Sequence, residues 1–162
     1  MTQKQVISID GMGGDDGASM VVGGLELFAK AHPEVEFLLH GDEAVLKSEL
    51  ALAPIAAPRT QIRHTEKFIS MEAKPAQAVR QGKNSSMWNT IEAVKKGEAD
   101  ACVSAGNTGA LMAMAKLILR TQAGVHRPAL CASWPTTHGV FAVLDLGADV
   151  TADAEQLVEF AI

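Results

Sequence analysis

The feature that most constrains the fold of this chain is a repeated alternation of short apolar runs, glycine-rich loops and amphipathic segments. The run VISI (6–9) leads through a glycine cluster into a segment with helical spacing over 19–31. A second run (35–39) leads into DEAVLKSEL (42–50), whose first Asp is typical of a helix N-cap. Strands that alternate with helices in this way predict a layered α/β/α fold with a mostly parallel sheet.

The later elements continue this pattern with less regularity. We predict strands at 61–64, 101–103, 129–134 and 140–146, and helices at 84–97 and from about 108 to a stop at Gly124. The last two strands are joined by the short segment PTTHG and could pair antiparallel. The helix that begins near residue 108 is apolar on nearly every face, which predicts that neighbours bury it on several sides, either within this chain or in a larger assembly.

The final segment, DAEQLVEFAI (153–162), predicts an amphipathic helix that stops on apolar residues, without a glycine, a basic last turn or a polar tail. We therefore expect residues 1–162 to be the N-terminal part of a single larger α/β domain.

Composition narrows the functional classes. The chain is 48% hydrophobic and 20% charged, which is enough to build a core. No apolar run approaches the roughly 18 to 20 residues that cross a bilayer, and the N-terminus does not resemble a signal peptide, so we expect a cytoplasmic protein. The net charge of -5 argues against nucleic acid as a partner. Cys102 and Cys131 lie in apolar runs, which predicts buried thiols and neither a disulfide nor a metal site.

The first candidate loop is DGMGGDDG (10–17), which contains Gly13, Gly14 and Asp15. Its spacing matches neither the dinucleotide-binding G-x-G-x-x-G nor the phosphate-binding loop that ends in Gly-Lys-Ser/Thr. It is either a tight turn that needs positive φ angles or a place where backbone N–H groups approach an anion. The carboxylates of the loop would repel a bare phosphate unless a cation lies nearby.

The second candidate loop is GKNSSM (82–87). Lys83 precedes a predicted helix N-terminus whose first turn contains Ser85 and Ser86. A positive charge, two hydroxyl groups and the positive end of a helix dipole favour an oxyanion, although a capped helix with a solvated lysine explains the same residues.

The third candidate loop is VSAGNTGALM (103–112). Asn107 and Thr108 are predicted to cap the apolar helix, and Gly106 and Gly109 on either side let the backbone approach a ligand or another segment. A cap explains Asn107 alone but not the two glycines.

The fourth candidate comprises PTTHG and LDLGADV (144–150). The hydroxyl groups of Thr136 and Thr137 and the strand-end carboxylate of Asp145 are predicted to line the same cleft. No motif for a covalent nucleophile occurs in the chain, which suits a reaction whose nucleophile is a substrate.

These segments together resemble the bacterial phosphate acyltransferase of phospholipid synthesis. The resemblance runs through the whole chain in the family's order, in DGMGGD (10–15), KNSSM (83–87), VSAGNTGALM (103–112), RPAL (127–130), PTT (135–137) and LDLGADV (144–150). It implies an enzyme that transfers a fatty acyl group from acyl carrier protein to inorganic phosphate, without a cofactor or metal. The acyl phosphate then serves a glycerol-3-phosphate acyltransferase.

The resemblance also implies a fold similar to isocitrate and isopropylmalate dehydrogenases, a homodimer and a longer chain. As a hypothesis, we assign Lys83, Ser85 and Ser86 to phosphate, together with Asp15 and the backbone near Gly13 and Gly14. The candidate catalytic residues are Lys83, Asn107 and Thr108. Asn107, Thr108 and the amide of Gly109 are predicted to face the thioester carbonyl or the phosphate.

Two positions depart from the family pattern. Gly11 stands where Ala is usual, which loosens the turn without removing a functional group. Asp149 stands where Asn is usual, and a carboxylate there would lose a donor and repel phosphate.

Acyl carrier protein is acidic, so its docking site is expected to be basic. Candidates for this site are Lys95, Lys96, Arg120 and Arg127, which ordinary solvated helix ends explain equally well. Peripheral membrane contact fits an enzyme of lipid synthesis, but no basic amphipathic helix indicates it. Two alternatives remain: a dehydrogenase of related fold, with Asp42 as the acid after the second strand, and a non-catalytic fragment.

Overall fold

The computed structural model describes residues 4–146 and 151–161, which form two compact units divided after Leu119. The first unit contains four strands, β1 (Val6–Asp10), β2 (Glu36–Gly41), β3 (Thr60–His64) and β4 (Ala101–Val103). Its helices are α1 (Gly17–Ala31), α2 (Glu43–Leu50), α3 (Pro75–Gln81), α4 (Ser86–Lys95) and α5 (Thr108–Leu119), with a 3-10 turn at Ala57–Arg59.

The four strands form a parallel sheet in the order β3-β2-β1-β4, which confirms the predicted α/β class. Successive side chains of β1 point to opposite faces of the sheet. On one face, Ile9, Phe37 and Leu39 are buried against α1 and α2 in a continuous apolar core. The opposite face is more polar: Ser8, Asp10 and His40 are all buried there.

Helix α4 packs on β1 and β2. Its N-cap is Ser85, whose Oγ accepts a 3.2 Å hydrogen bond from the backbone N–H of Trp88. Met87 and Ile91 are buried one turn apart, as helical spacing of the apolar residues predicts. The predicted helix at 84–97 is thus confirmed, although it is shorter at both ends.

Helix α5 differs from its prediction. Ala110, Met114 and Ile118 are buried along one face, but Leu117 and Leu119 are 52% and 42% exposed. Within the described residues, therefore, the helix is buried on one side and not on several. It also ends at Leu119, before the predicted stop at Gly124.

The second unit contains an antiparallel hairpin of β5 (Cys131–Thr136) and β6 (Gly139–Leu144), followed by helix α6 (Ala154–Phe160). The antiparallel pairing and the final helix agree with the sequence. The buried thiol predicted at Cys131 is wrong, because this residue lies exposed on the hairpin, whereas Cys102 is half-buried. Burial raises the pKa of the Cys102 thiol.

Within residues 4–146 and 151–161, every helix is too short or too polar to cross a membrane.

Candidate functional site

Three segments of the first unit meet at the carboxyl edge of the parallel sheet. They are the loop after β1, the loop after β4 and the first turn of α4. A Cβ atom added to Gly13 would lie 2.8 Å from the backbone nitrogen of Gly106, and one added to Gly106 would lie 2.8 Å from Cε of Met87. Glycine at both positions therefore allows a close approach of backbone segments at the edge where parallel α/β proteins bind ligands.

A hydrogen-bonded pair that sequence reasoning missed joins two of these loops. The Ser104 Oγ donates to Asp10 Oδ2 over 2.7 Å and accepts a 3.0 Å hydrogen bond from the backbone N–H of Gly106. The other carboxylate oxygen of Asp10 accepts from the N–H of Met12 over 3.3 Å. The strand register brings this pair together: Ile9 pairs with Val103, so Asp10 and Ser104, the next residues along the chain, lie side by side.

The first loop ends at the start of α1, and that helix start has no side-chain cap. Gly14 has a φ of 95°, which favours glycine, and α1 begins after Asp16 without a side-chain cap. Asp15 and Asp16 are exposed. N–H groups in the first turn of a helix have no intrahelical partner, so this turn can accept an anion.

At the start of α4, the two predicted serines have different surroundings. The Ser85 hydroxyl caps the helix. The backbone N–H of Ser86 donates to the carbonyl of Lys67 over 2.8 Å, whereas its hydroxyl is fully buried and has no hydrogen-bond partner among the described residues. The hydroxyl of Thr90, one turn further along the helix, is also buried and has no hydrogen-bond partner among the described residues. Lys83 is exposed beside this turn.

At the start of α5, the side chain of Asn107 is engaged within the protein. Its Oδ1 accepts from the N–H of Ala110 over 2.9 Å, and its Nδ2 donates to the carbonyls of Met71 and Ala73 over 2.6 and 2.9 Å. An amide has two N–H donors, and here both have acceptors. Asn107 thus caps α5 and also holds the segment that leads to α3.

A close contact with α3 explains why residue 109, in the AGNTGALM segment, is glycine. A Cβ at this position would lie 2.9 Å from Cγ of Pro75, the first residue of α3. The exposed Thr108 hydroxyl and the backbone N–H of Gly109 have no hydrogen-bond partner within the described part of the chain. These two groups are the open donors of α5.

The remaining candidates lie in the second unit. The Thr136 hydroxyl donates to the carbonyl of Gly139 over 2.9 Å at the hairpin turn, next to Thr137. Asp145 follows β6 at the other end of the hairpin, with a φ of 55°. The hairpin does not bring Asp145 together with the two threonines. Asp149 lies outside the described residues.

His40 sets the electrostatics of the buried polar face. Burial, with a smaller effect from the Arg63 guanidinium, lowers its pKa to about 4, so the imidazole is neutral at pH 7. Its Nε2 shares a 3.0 Å hydrogen bond with the Ser8 hydroxyl, while its Nδ1 has no partner within the described ranges. The imidazole therefore supplies no cation near Asp10.

Asp42, the acid that the dehydrogenase alternative needs, caps α2: its Oδ1 accepts from the N–H of Val45 over 3.0 Å. Among the residues that the structure describes, no cluster of three or more His, Cys, Asp or Glu side chains could hold a metal ion.

Fold and site together define a parallel α/β protein with open backbone donors at the carboxyl edge of its sheet. Residues 5–162 match the family described as "Fatty acid synthesis protein", and the chain belongs to this family. It is 59% identical over 162 residues to a phosphate acyltransferase of Caulobacter vibrioides, covering 100% of this chain and 45% of that protein. It is 56% identical over 162 residues to a phosphate acyltransferase of Phenylobacterium zucineum, covering 100% of this chain and 46% of that one. The chain thus spans about half the length of these relatives.

Proposed function

We propose that the protein transfers a fatty acyl group from acyl carrier protein to inorganic phosphate and yields an acyl phosphate for phospholipid synthesis. The observation that carries the proposal is the contact of the Gly13 and Gly106 segments at the carboxyl edge, beside helix N-termini with open donors. Membership in the fatty acid synthesis family and similarity to named phosphate acyltransferases support the same activity.

The chemistry suits a site without a nucleophilic side chain. A phosphate oxygen attacks the thioester carbonyl, a C–O bond forms, the C–S bond breaks, and the carrier thiol leaves as a thiolate. Phosphate is already an anionic nucleophile at neutral pH. The protein then has to align the two substrates and stabilise the tetrahedral oxyanion, and backbone N–H groups are suited to both tasks.

For phosphate, we assign the Lys83 ammonium, the Ser86 hydroxyl and the backbone N–H groups near Gly13 and Gly14. Ser85 supports these phosphate-binding groups indirectly, because its hydroxyl caps α4. Asp15 is exposed at the same loop and remains a predicted phosphate-binding residue.

For the thioester carbonyl, we assign the Thr108 hydroxyl and the N–H of Gly109, the open donors of α5. Asn107 acts by holding α5 and residues 71–73 in place, because its own amide hydrogens already have acceptors. Thr136, Thr137 and Asp145 remain predicted site residues.

Further inferences concern the whole protein. We infer a single larger domain with a fold similar to isocitrate and isopropylmalate dehydrogenases, a homodimer, and a cytoplasmic location with peripheral membrane contact. Its partners would be acyl carrier protein and, through the product, a glycerol-3-phosphate acyltransferase. The coverage of only 45% of the Caulobacter relative supports the larger domain, and the family membership supports the other inferences.

The test is phosphate-dependent release of free carrier protein from palmitoyl acyl carrier protein. It is run on this chain and on a version extended to the length of its relatives, with sulfate replacing phosphate as the control. Turnover by both means that the site is complete within these loops, and turnover by the longer form alone assigns part of the site to the added residues. No turnover by either form rejects the proposal.

A further inference from the structure

We propose that Ser104 is a positioning residue of the phosphate site and acts through the carboxylate of Asp10. The inference rests on the proposed function, because it concerns how the same site keeps the shape that binds phosphate. Neither residue is among those assigned above to a substrate.

The Ser104 hydroxyl accepts one hydrogen bond and donates another. The N–H of Gly106 donates to the Ser104 hydroxyl over 3.0 Å, and that hydroxyl donates to Asp10 over 2.7 Å. Asp10 also accepts from Met12, in the loop after β1. One serine hydroxyl therefore links the loop after β4 to the loop after β1, and it can do so only because it both donates and accepts.

The two loops lie close together at Gly13. The position of a Cβ on Gly13 is 2.8 Å from Asp10 Oδ2, 2.8 Å from the Gly106 nitrogen and 3.1 Å from the Ser104 Oγ. Glycine at position 13 allows this approach, and the Ser104 hydrogen bonds hold the two loops together. Donors to an oxyanion are effective only when they are held in place beforehand.

The link lies beside the backbone N–H groups assigned to phosphate, because Asp10 Oδ2 and the Ser104 Oγ are both next to Gly13. Asp10 is 2% exposed and has no cationic partner in the described part of the chain. The Ser104 hydroxyl donates to the carboxylate oxygen nearest Gly13 and so satisfies an acceptor that is buried away from water. Without the hydroxyl, Oδ2 loses its closest donor, and the N–H of Gly106 loses its acceptor.

The test is the kinetics of Ser104→Ala in the chain extended to the length of its relatives. We expect the KM for inorganic phosphate to rise about tenfold, because the N–H groups near Gly13 lose the link that holds them in place, with the KM for the acyl carrier thioester unchanged. Ser104→Thr, which keeps the hydroxyl, should restore most of the phosphate affinity. In an Asp10→Ala background, which removes the acceptor, Ser104→Ala should raise the phosphate KM much less, because the two residues act as one unit.

The matched control is Ser48→Ala, on the exposed side of α2, which should leave both KM values unchanged. Thermal unfolding of each variant separates a local effect from loss of folding. An unchanged phosphate KM in Ser104→Ala, an equal rise in both KM values, or a threonine variant no better than alanine would overturn the inference. If the unsubstituted protein shows no phosphate-dependent turnover, the proposed function itself is rejected.

Discussion

The Thr65 hydroxyl donates a 2.6 Å hydrogen bond to the backbone carbonyl of Asn84, a residue held in the left-handed conformation with a φ of 64°. Thr65 follows β3, and Asn84 directly precedes the N-cap of α4. This bond fixes the turn that presents Lys83 and the serines to the carboxyl edge of the sheet.

Thr65→Val should therefore destabilise the first unit by about 1 to 2 kcal/mol, since it leaves a carbonyl without its donor while preserving side-chain shape. Urea unfolding measures the change. Thr65→Ser keeps the hydroxyl and should stay within about 0.5 kcal/mol of the unsubstituted chain on the same measurement. Equal stability of the valine variant would show that the bond is unimportant.

Replacing Gly13 and replacing Gly23 should have opposite effects. A Cβ on Gly13 would lie 2.8 Å from both the Asp10 carboxylate and the Gly106 nitrogen, so Gly13→Ala should cost about 1 to 3 kcal/mol. A Cβ on Gly23, inside α1, meets nothing within 4 Å, and Gly23→Ala should stabilise the unit by about 0.5 to 1 kcal/mol. Denaturant unfolding of the two variants measures both changes. A tolerated alanine at position 13 would contradict the close packing of the two loops.

Substitutions of Asn107 should separate its two structural roles. Asn107→Asp keeps an acceptor for the N–H of Ala110 but removes both donors to Met71 and Ala73, whereas Asn107→Ala removes all three bonds. Amide hydrogen exchange should accelerate around residues 71–73 in both variants, and in the first turn of α5 only in the alanine variant. Unchanged exchange at 71–73 would show that the amide does not hold this segment.

Lys83→Met should raise the KM for phosphate at least tenfold, which corresponds to about 1.4 kcal/mol of charge-assisted binding. The effect should shrink at high salt, because Lys83 is exposed and its charge is screened. Lys30→Met, an exposed lysine near the end of α1, is the matched control. Equal phosphate KM values in the two variants would refute the assignment.

His40 should make the first unit less stable as the pH falls. Its pKa is lowered from 6.5 to about 4 in the folded chain, so the unfolded state binds its proton first. The stability due to neutral His40 is fully present above pH 6.5 and is lost as the pH falls towards 4; between pH 7 and 5 the loss is about 2 kcal/mol. Urea unfolding at pH 5, 6 and 7 should show this slope in the unsubstituted chain and in His32→Gln. It should flatten in His40→Gln, and an equally steep slope there would assign the pH dependence to other groups.

The sequence predicts the parallel α/β class and α4 correctly because their signals are local. Apolar runs, a serine cap and helical spacing act within about ten residues. Helix α3 gave no such signal, since Ala78 is its only buried residue among those described, and its packing on α5 depends on Gly109 and Pro75, which are far apart in sequence. Local patterns also identified the apolar character of α5 without showing which of its faces stay exposed.

The candidate site shows the same limit. The glycine loops and the serine cap are visible in the sequence, but the Asp10–Ser104 bond requires the register of β1 on β4. The local sequence predicts that Asn107 caps α5, and the family resemblance led to the prediction that it faces a substrate. Its two carbonyl acceptors lie more than thirty residues away, where no local pattern could identify them.

The strand order also determines when the site can form. β1 lies between β2 and β4, and the Ser104–Asp10 bond spans 94 residues of chain. During synthesis, β1 and β2 can pair early, but β4 cannot join them until nearly the whole first unit has left the ribosome. Closing so long a loop is slow compared with forming local helices. Because it lies across the junction between the first strand and the fourth, the candidate site is completed late in folding.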